Sequence, residues 1–281
     1  MSRHAELRAR FRQLHQQGCF VIPNPWDVGT AIVLARLGFA ALATTSAGFA
    51  FSRGLPDSLT VLSADTAIAH IAEIVDAVDV PVNADFQAGY ATDLETLADN
   101  VRRCAAAGVA GLSIEDGTGL ADNPLFSLPE AVERIRAARS GIDDSGADVL
   151  LTGRAECFLY GHPDPLNEAI DRLRAYAEAG ADVLFAPGVR RSDDIATLVR
   201  AVEPHPVNVL VSNDIGLTVT DLAELGVRRI SVGSALSRVA WSAFLRAARR
   251  LADHGMFDGL AGAAAFDELN ALFSPPSSPA P

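Results

Sequence analysis

An α/β fold, a (β/α)8 TIM-type barrel with extra C-terminal helices, is what this 281-residue sequence predicts, and three observations predict it. Eight short apolar runs alternate with amphipathic stretches, which demands a parallel sheet because parallel strands need a crossover. Four of the amphipathic stretches end in a Leu-Gly or Ala-Gly step, at Gly38, Gly108, Gly180 and Gly226, where a left-handed cap would hand the chain to the next strand. The strand-bearing part covers residues 18–233, the length that eight closed units need. An open doubly wound sheet is the competing layout, but no GxGxxG follows the first run.

Residues 1–17 carry charge throughout and have no apolar core, so they read as an N-terminal helix and not as a signal peptide. Strands are expected at 20–23, 40–44, 80–85, 111–115, 149–152, 183–186, 207–211 and 229–232. Helices are expected between them at 27–37, 63–78, 93–107, 128–138, 166–179, 192–202 and 218–225. In the third of these, Leu94, Leu97, Val101, Cys104 and Ala105 recur at helical spacing, as a face packed on a sheet requires. Residues 234–273 supply further helices at 235–252 and 261–272, and the Pro/Ser segment 274–281 reads as a mobile tail. No change in composition marks a second domain.

The composition excludes several functions. All 23 basic residues are arginine, so Schiff-base aldolases, pyridoxal enzymes and phosphate-loop NTPases are ruled out for want of a lysine amine. A net charge of −12 disfavours nucleic acid as a partner. No apolar run approaches the ~20 residues that cross a bilayer, so no membrane partner is expected. Cys19, Cys104 and Cys157 are odd in number and scattered, which fits reduced thiols in a cytoplasmic protein.

In such a barrel the chemistry belongs at the C-terminal ends of the strands. Just past the apolar runs stand Asn24, the segment Thr45-Ser46-Ala47-Gly48 leading to Asp57, then Asn83 and Asp85, Glu115 and Asp116, Arg154 and Glu156, and Asn208. Asp57, Asp85 and Glu115 with Asn83 offer the hard oxygen ligands that suit Mg²⁺ or Mn²⁺. Arg154 offers a planar fork for a carboxylate, and Thr45–Gly48 could present backbone N–H groups to an anion. Together they describe a site for a small 2-oxo acid whose developing enolate charge a metal would neutralise.

Plainer roles compete. Asp27, Asp93 and Ser192 precede helices as caps would, and Asp116 suits a turn. Arg154 could be an ion pair with Glu156 or Asp85, and Asn83 could give a supporting hydrogen bond without touching the metal. Cys157 suits a buried apolar position, His162 the surface and Trp26 packing. Gly233-Ser234 could hold a phosphate, which would make a phosphosugar-binding barrel, or could simply cap a helix.

The stretches NPWDVGTAIVLARLGFAALATTSAG, GLPD, VPVNADFQAGY, GVAGLSIED, LTGR, AGADVLF and VNVLV, in this order, resemble the isocitrate lyase/phosphoenolpyruvate mutase superfamily over residues 18–270. The resemblance implies a Mg²⁺-dependent barrel, usually a homotetramer with a C-terminal helix exchanged between subunits. It also implies C–C or P–C bond chemistry through a pyruvate-like enolate. Thr45, Ser46 and Ala47 fall on the family's substrate-carboxylate loop and Asp57 on its GLPD acid. Asn83 and Asp85 fall on the aspartate pair at the metal and Glu115 on the following glutamate. Arg154 and Asn208 fall on substrate contacts.

The departures narrow the chemistry. The lyase branches carry KKCGH after strand four, where this chain reads DGTGLADNPLFSLPE, without cysteine, histidine or lysine. Only Asn123 stands in for the mutase loop's residues. Asn83 replaces the first aspartate of the pair, and the end of strand six reads Ala186-Pro187-Gly188. The expected function is a Mg-dependent lyase or hydrolase on a small 2-oxo acid or di-acid resembling oxaloacetate. The alternatives are a phosphonomutase and a binding protein without turnover.

Overall fold

The computed structural model describes residues 2–274 and falls into two compact units that divide after Ser234. The expected tail, apart from Ser274, lies outside the described residues. In the first unit, eight strands follow one another in parallel: β1 (Phe20–Ile22), β2 (Leu42–Ala43), β3 (Val82–Asp85), β4 (Gly111–Glu115), β5 (Leu150–Arg154), β6 (Val183–Phe185), β7 (Val207–Leu210) and β8 (Arg229–Ser231). Their order is β1-β8-β7-β6-β5-β4-β3-β2. The seam between β1 and β2 is bridged by the Ala43 N–H, which donates to the Pro23 carbonyl at 3.0 Å, so the barrel is nearly closed.

The helices of this unit are α1 (Arg3–Leu14), α2 (Val28–Arg36), α3 (Ser46–Ser52), α4 (Ala64–Ala77), α5 (Leu94–Ala106), α6 (Leu128–Asp144), α7 (Pro165–Glu178), α8 (Ser192–Ala201) and α9 (Val219–Glu224). Asp27 and Asp93 cap α2 and α5 as expected. Ser192 is instead the first residue of α8, after Arg191. Gly38, Gly108, Gly180 and Gly226 all adopt left-handed φ values of 89–105°, the geometry that ends one helix and starts the next strand. On α5 the stripe Leu97, Val101, Cys104 and Ala105 is buried, while Leu94 at the first turn is exposed.

Alternation along the strands divides the barrel into two chemistries. Leu112, Ile114, Leu151, Leu184, Val209 and Ile230 join the apolar layer beneath the helices. The intervening positions, among them Asn83, Asp85, Ser113, Glu115, Arg154, Asn208 and Ser231, line an interior cavity. Beneath that cavity Phe11 of α1 packs with Ile22, Ala41, Ala43, Ala110, Leu150 and Val183. Arg8 donates to the carbonyls of Val109 and Ala105 at 2.9 and 2.7 Å and helps pin α1 in place. The expected N-terminal helix thus closes the floor of the barrel with one buried side chain, Phe11.

The helices pack most closely where α5 meets α6. A Cβ on Gly141 would overlap the Ala98 carbonyl oxygen, so the two helices depend on its absence. Gly141→Ala is expected to destabilise the protein by about 1–3 kcal/mol, despite alanine's better helix propensity, as measured by urea denaturation. An unchanged or stabilised variant would refute this packing.

The second unit consists of α10 (Ala235–His254), a 3₁₀ turn at Asp258–Leu260 and α11 (Phe266–Phe273). Arg250 donates to both Asp258 carboxylate oxygens, at 3.1 and 2.6 Å, and ties the turn to α10. Among the described residues no helix is long and apolar enough to cross a membrane.

Candidate active site

The cavity at the C-terminal side of the strands has a volume of about 590 Å³, and nine of the residues singled out from the sequence line it, while Gly48 and Asp116 do not. Thr45, Ser46, Ala47, Asp57, Asn83, Asp85, Glu115, Arg154 and Asn208 come from five strands and the loops behind them, yet they meet at one opening. Glu156, Tyr160 and the strand-four loop around Leu120 complete the walls.

Arg154 is the hub. Its Nη1 lies 3.1 Å from Glu115 Oε2 and 3.4 Å from Asp85 Oδ1, and its Nε donates to Glu156. Parallel pairing sets Glu115 directly beside Arg154, so the sheet register itself creates the first contact. The guanidinium also stands 5.3 Å over the Phe185 ring. The ion pairs weighed as an alternative for Arg154 are therefore present, within the cavity wall.

Four acids, Asp57, Asp85, Glu115 and Glu156, outnumber the two guanidiniums, Arg154 and Arg229, that line the cavity. Burial pushes the Glu115 carboxyl up to about 8, against the pull of Arg154 and with help from Glu156 and Asp85. Burial also raises Asp57, and the neighbouring Asp85 adds to it. Excess negative charge in a desolvated wall calls for a further cation.

The segment 45–48 differs from the expected open loop. It begins helix α3, with Thr45 as its cap: Thr45 Oγ1 accepts the Gly48 N–H at 3.2 Å. Ser46 donates from both N–H and hydroxyl to Asp85 Oδ2, at 2.9 and 2.8 Å. Two of its N–H groups are thus already used, and the segment's first role is to orient Asp85. The Thr44 hydroxyl accepts the Asp85 N–H at 2.9 Å from the other side.

Asn83 donates to the Ala84 carbonyl at 3.2 Å, while its buried Oδ1 faces Gly111 without a hydrogen-bond partner. Asp116 is no simple turn residue. Fully inside the wall, it accepts from the Glu156 N–H at 2.8 Å, Arg172 at 2.9 Å and the Tyr176 hydroxyl at 2.5 Å, and so anchors the Arg154–Glu156 loop to α7. Cys157 is buried and donates to the Pro165 carbonyl at 3.4 Å, and His162 lies 4.0 Å from Glu168. Neither lines the cavity. Gly233 donates its N–H to Asn24 Oδ1 at 2.8 Å, which takes away a donor the phosphate-binding alternative needs.

Gln87 and Arg229 are among the cavity residues that sequence reasoning missed, with Ser113, Tyr160 and Ser231. Gln87 sits at φ +46°, a strained position for a side chain with a Cβ, and its carbonyl accepts the Glu115 N–H at 3.0 Å. Arg229 donates to Asn208 Oδ1 at 2.9 Å and to Thr152 Oγ1 at 3.1 Å, and its Nη1 lies 3.5 Å from His15 Nε2. The available signal was parity: Arg229 shares its strand face with Ser231, and Gln87 follows Asn83 and Asp85 in steps of two.

His15 adds a pH dependence. Its Nδ1 lies 2.8 Å from the Phe11 carbonyl, which makes Nδ1 the protonated nitrogen and leaves Nε2 to accept from Arg229. Burial, with Arg229 second, lowers its pKa to about 3. A histidine depressed in the fold stabilises it above the unfolded pKa of about 6.5, and that contribution is lost as pH falls toward the folded value. His15→Gln is expected to remove about one proton, ~1.4 kcal/mol per pH unit, from the slope of unfolding free energy between about pH 4 and 6. An unchanged slope would place the dependence elsewhere.

The family model for phosphoenolpyruvate phosphomutase matches residues 11–252. A crystal structure from Burkholderia cenocepacia J2315, described as a candidate lyase/mutase, is 46% identical, with a TM-score of 0.93 over 99% of this chain and 100% of that one. The 2-methylisocitrate lyase of Escherichia coli K12 is 30% identical over 90% of this chain and 84% of its own length. The oxaloacetate decarboxylase of Pseudomonas savastanoi pv. phaseolicola is 30% identical over 80% and 78%. A nearly closed eight-stranded barrel, an acid-rich mouth organised by one arginine and these likenesses together lead to one conclusion: the chain belongs to the isocitrate lyase/phosphoenolpyruvate mutase superfamily, a group of lyases and mutases.

Proposed function

We propose that the protein is a divalent-cation-dependent lyase or hydrolase that cleaves a carbon–carbon bond in a small 2-oxo di-acid resembling oxaloacetate. The observation that carries this is the meeting of Asp85, Glu115 and Arg154, from three different strands, within 3.1–3.4 Å of one guanidinium nitrogen at the cavity wall. The oxaloacetate decarboxylase relative supports the substrate class, and it and the 2-methylisocitrate lyase relative both support carbon–carbon bond cleavage.

The residues present fit Mg²⁺ or Mn²⁺. With every acid ionised, the lining carries two negative charges beyond what its guanidiniums neutralise. Among the described residues no three acidic, histidine or cysteine side chains form a closed metal cage. A hard cation held by one or two carboxylates and several waters suits such a wall, and Asp85 and Glu115 would hold it, with Asn83 alongside. When bound, the cation supplies positive charge for the substrate's keto oxygen as the bond breaks.

The chain's own residues do the rest. Nε and Nη1 of Arg154 are committed to the acids, which leaves Nη2 as the arm for a substrate carboxylate. Ser46 fixes the Asp85 carboxylate and the helix turn 45–47 borders the ligand. Glu115 Oε2 faces Arg154, so below its raised pKa the carboxyl would carry its proton on Oε1 and would have to release it to hold a cation. Metal affinity therefore rises with pH.

The strand-four loop, without cysteine, histidine or lysine, favours a second possibility: a protein that binds the 2-oxo acid without turning it over. The phosphonomutase alternative lacks its loop lysine. A panel of 2-oxo acids with and without Mg²⁺, read by thermal shift and by product formation, tests these together. Product from a di-acid only with Mg²⁺ is expected. Stabilisation without product selects the binding protein, and a response only to sugar phosphates refutes the proposal.

We also propose a cytoplasmic homo-oligomer, a tetramer by family likeness. Val239, Phe244, Phe257 and Phe266 of the second unit stand 60–80% exposed, more apolar surface than a monomer ordinarily shows. Light scattering that gives a monomer mass would refute it.

A further inference from the structure

Arg229 is a buried cation without a counter-ion. It is 3% exposed, and its partners, Asn208, Thr152 and His15, are all uncharged. No carboxylate forms an ion pair with it among the described residues, and burial alone drags its pKa down to about 9. A lone charge in such a place costs several kcal/mol, a cost that evolution retains where something offsets it.

The surroundings show what would offset it. Arg229 lines the cavity, and its three contacts leave two of five N–H groups unused. Asn208 turns its side-chain oxygen to Arg229 and donates from Nδ2 to Ser231 Oγ at 3.0 Å. The Ser231 hydroxyl, having accepted, keeps its own proton to give. The bonds thus all run one way and leave an end of the cavity lined with donors. Every acid of the lining belongs to the other group, around Arg154.

We propose that Arg229, with Asn208 and Ser231, forms an anion site at the inner end of the cavity that takes the distal carboxylate of a dianionic substrate. This rests on the 2-oxo-acid function above and deepens it, since it selects di-acids over pyruvate-like mono-acids and fixes which end enters first. Arg229 reaches the Thr152 hydroxyl, and Thr152 lies two residues, about 6.6 Å of strand rise, before Arg154 on β5. A four- or five-carbon di-acid spans that interval. Oxalate, with its carboxylates on adjacent carbons, does not.

The test compares oxalate with 3,3-difluorooxaloacetate by calorimetric titration in the presence of Mg²⁺. Arg229→Gln is expected to weaken difluorooxaloacetate by about thirty-fold while oxalate changes by less than about three-fold, and Arg229→Lys is expected to recover most of the loss. Equal weakening of both ligands, or of neither, would overturn the proposal and leave Arg229 a purely structural group. Should the variants not fold, bromide soaked into wild-type crystals decides: anomalous density against the Arg229 guanidinium is expected, and its absence overturns the site. Oxalate failing to bind the wild type would instead count against the 2-oxo-acid function, and the bromide result would still decide the anion site on its own.

Discussion

Replacing Arg154 with glutamine is expected to lower kcat/KM for a 2-oxo di-acid by about a thousand-fold, equivalent to ~4 kcal/mol, with the larger part in KM. The magnitude follows from what the side chain does. It bridges Asp85, Glu115 and Glu156 at the cavity wall, and under the proposal its remaining arm, Nη2, takes the substrate carboxylate. Glutamine can replace one hydrogen bond but not the charge or the fork. The same change carries a stability signature. Glu115, already pushed up to about 8 by burial, loses its nearest cation and rises further. A carboxyl raised in the fold stabilises it below the unfolded pKa, and that contribution is lost as pH rises through the folded value. The Arg154→Gln protein is therefore expected to melt well below the wild type near about pH 8 and closer to it near about pH 5. A parallel offset at both values, measured by differential scanning calorimetry, would contradict the electrostatic account.

Asp85→Asn is expected to abolish Mg²⁺-dependent turnover, a loss of at least about a thousand-fold. Asparagine preserves an oxygen to accept from Ser46 but removes the charge, and so separates two roles that Asp85→Ala would confound. Loss of activity with an unchanged melting temperature assigns Asp85 to the metal. Loss of both assigns it to holding α3, whose first turn depends on the Ser46 bonds at 2.8 and 2.9 Å. Retained Mg²⁺-dependent activity would remove Asp85 from the metal site.

The architecture was legible because it is periodic. Glycine at the end of a helix and alternation along a strand leave marks in the sequence, and Gly38, Gly108, Gly180 and Gly226 adopt the predicted conformation. Candidate site residues could be found because polar groups just past apolar runs have few structural excuses, and all but Asp116 line one cavity. What stayed hidden was partnership across the barrel. Helix α3 escaped because a seven-residue segment is too short to show a helical period and is held by Asp85, thirty-nine positions from Ser46. Asp116 looked like a turn because Arg172 and Tyr176, its partners, belong to another helix. Arg229 opened the run 229–232, where only strand parity against Ser231 distinguishes an inward arginine from an edge residue.

The proposed convergence of Asp85, Glu115 and Arg154 on one divalent cation and one 2-oxo acid is tested most directly by a crystal structure with Mn²⁺ and oxalate, phased at the manganese edge. The account predicts a single anomalous peak beside the Asp85 carboxylate, with oxalate reaching both the metal and Arg154. Manganese away from Asp85, or oxalate bound without contact to Arg154, would contradict it.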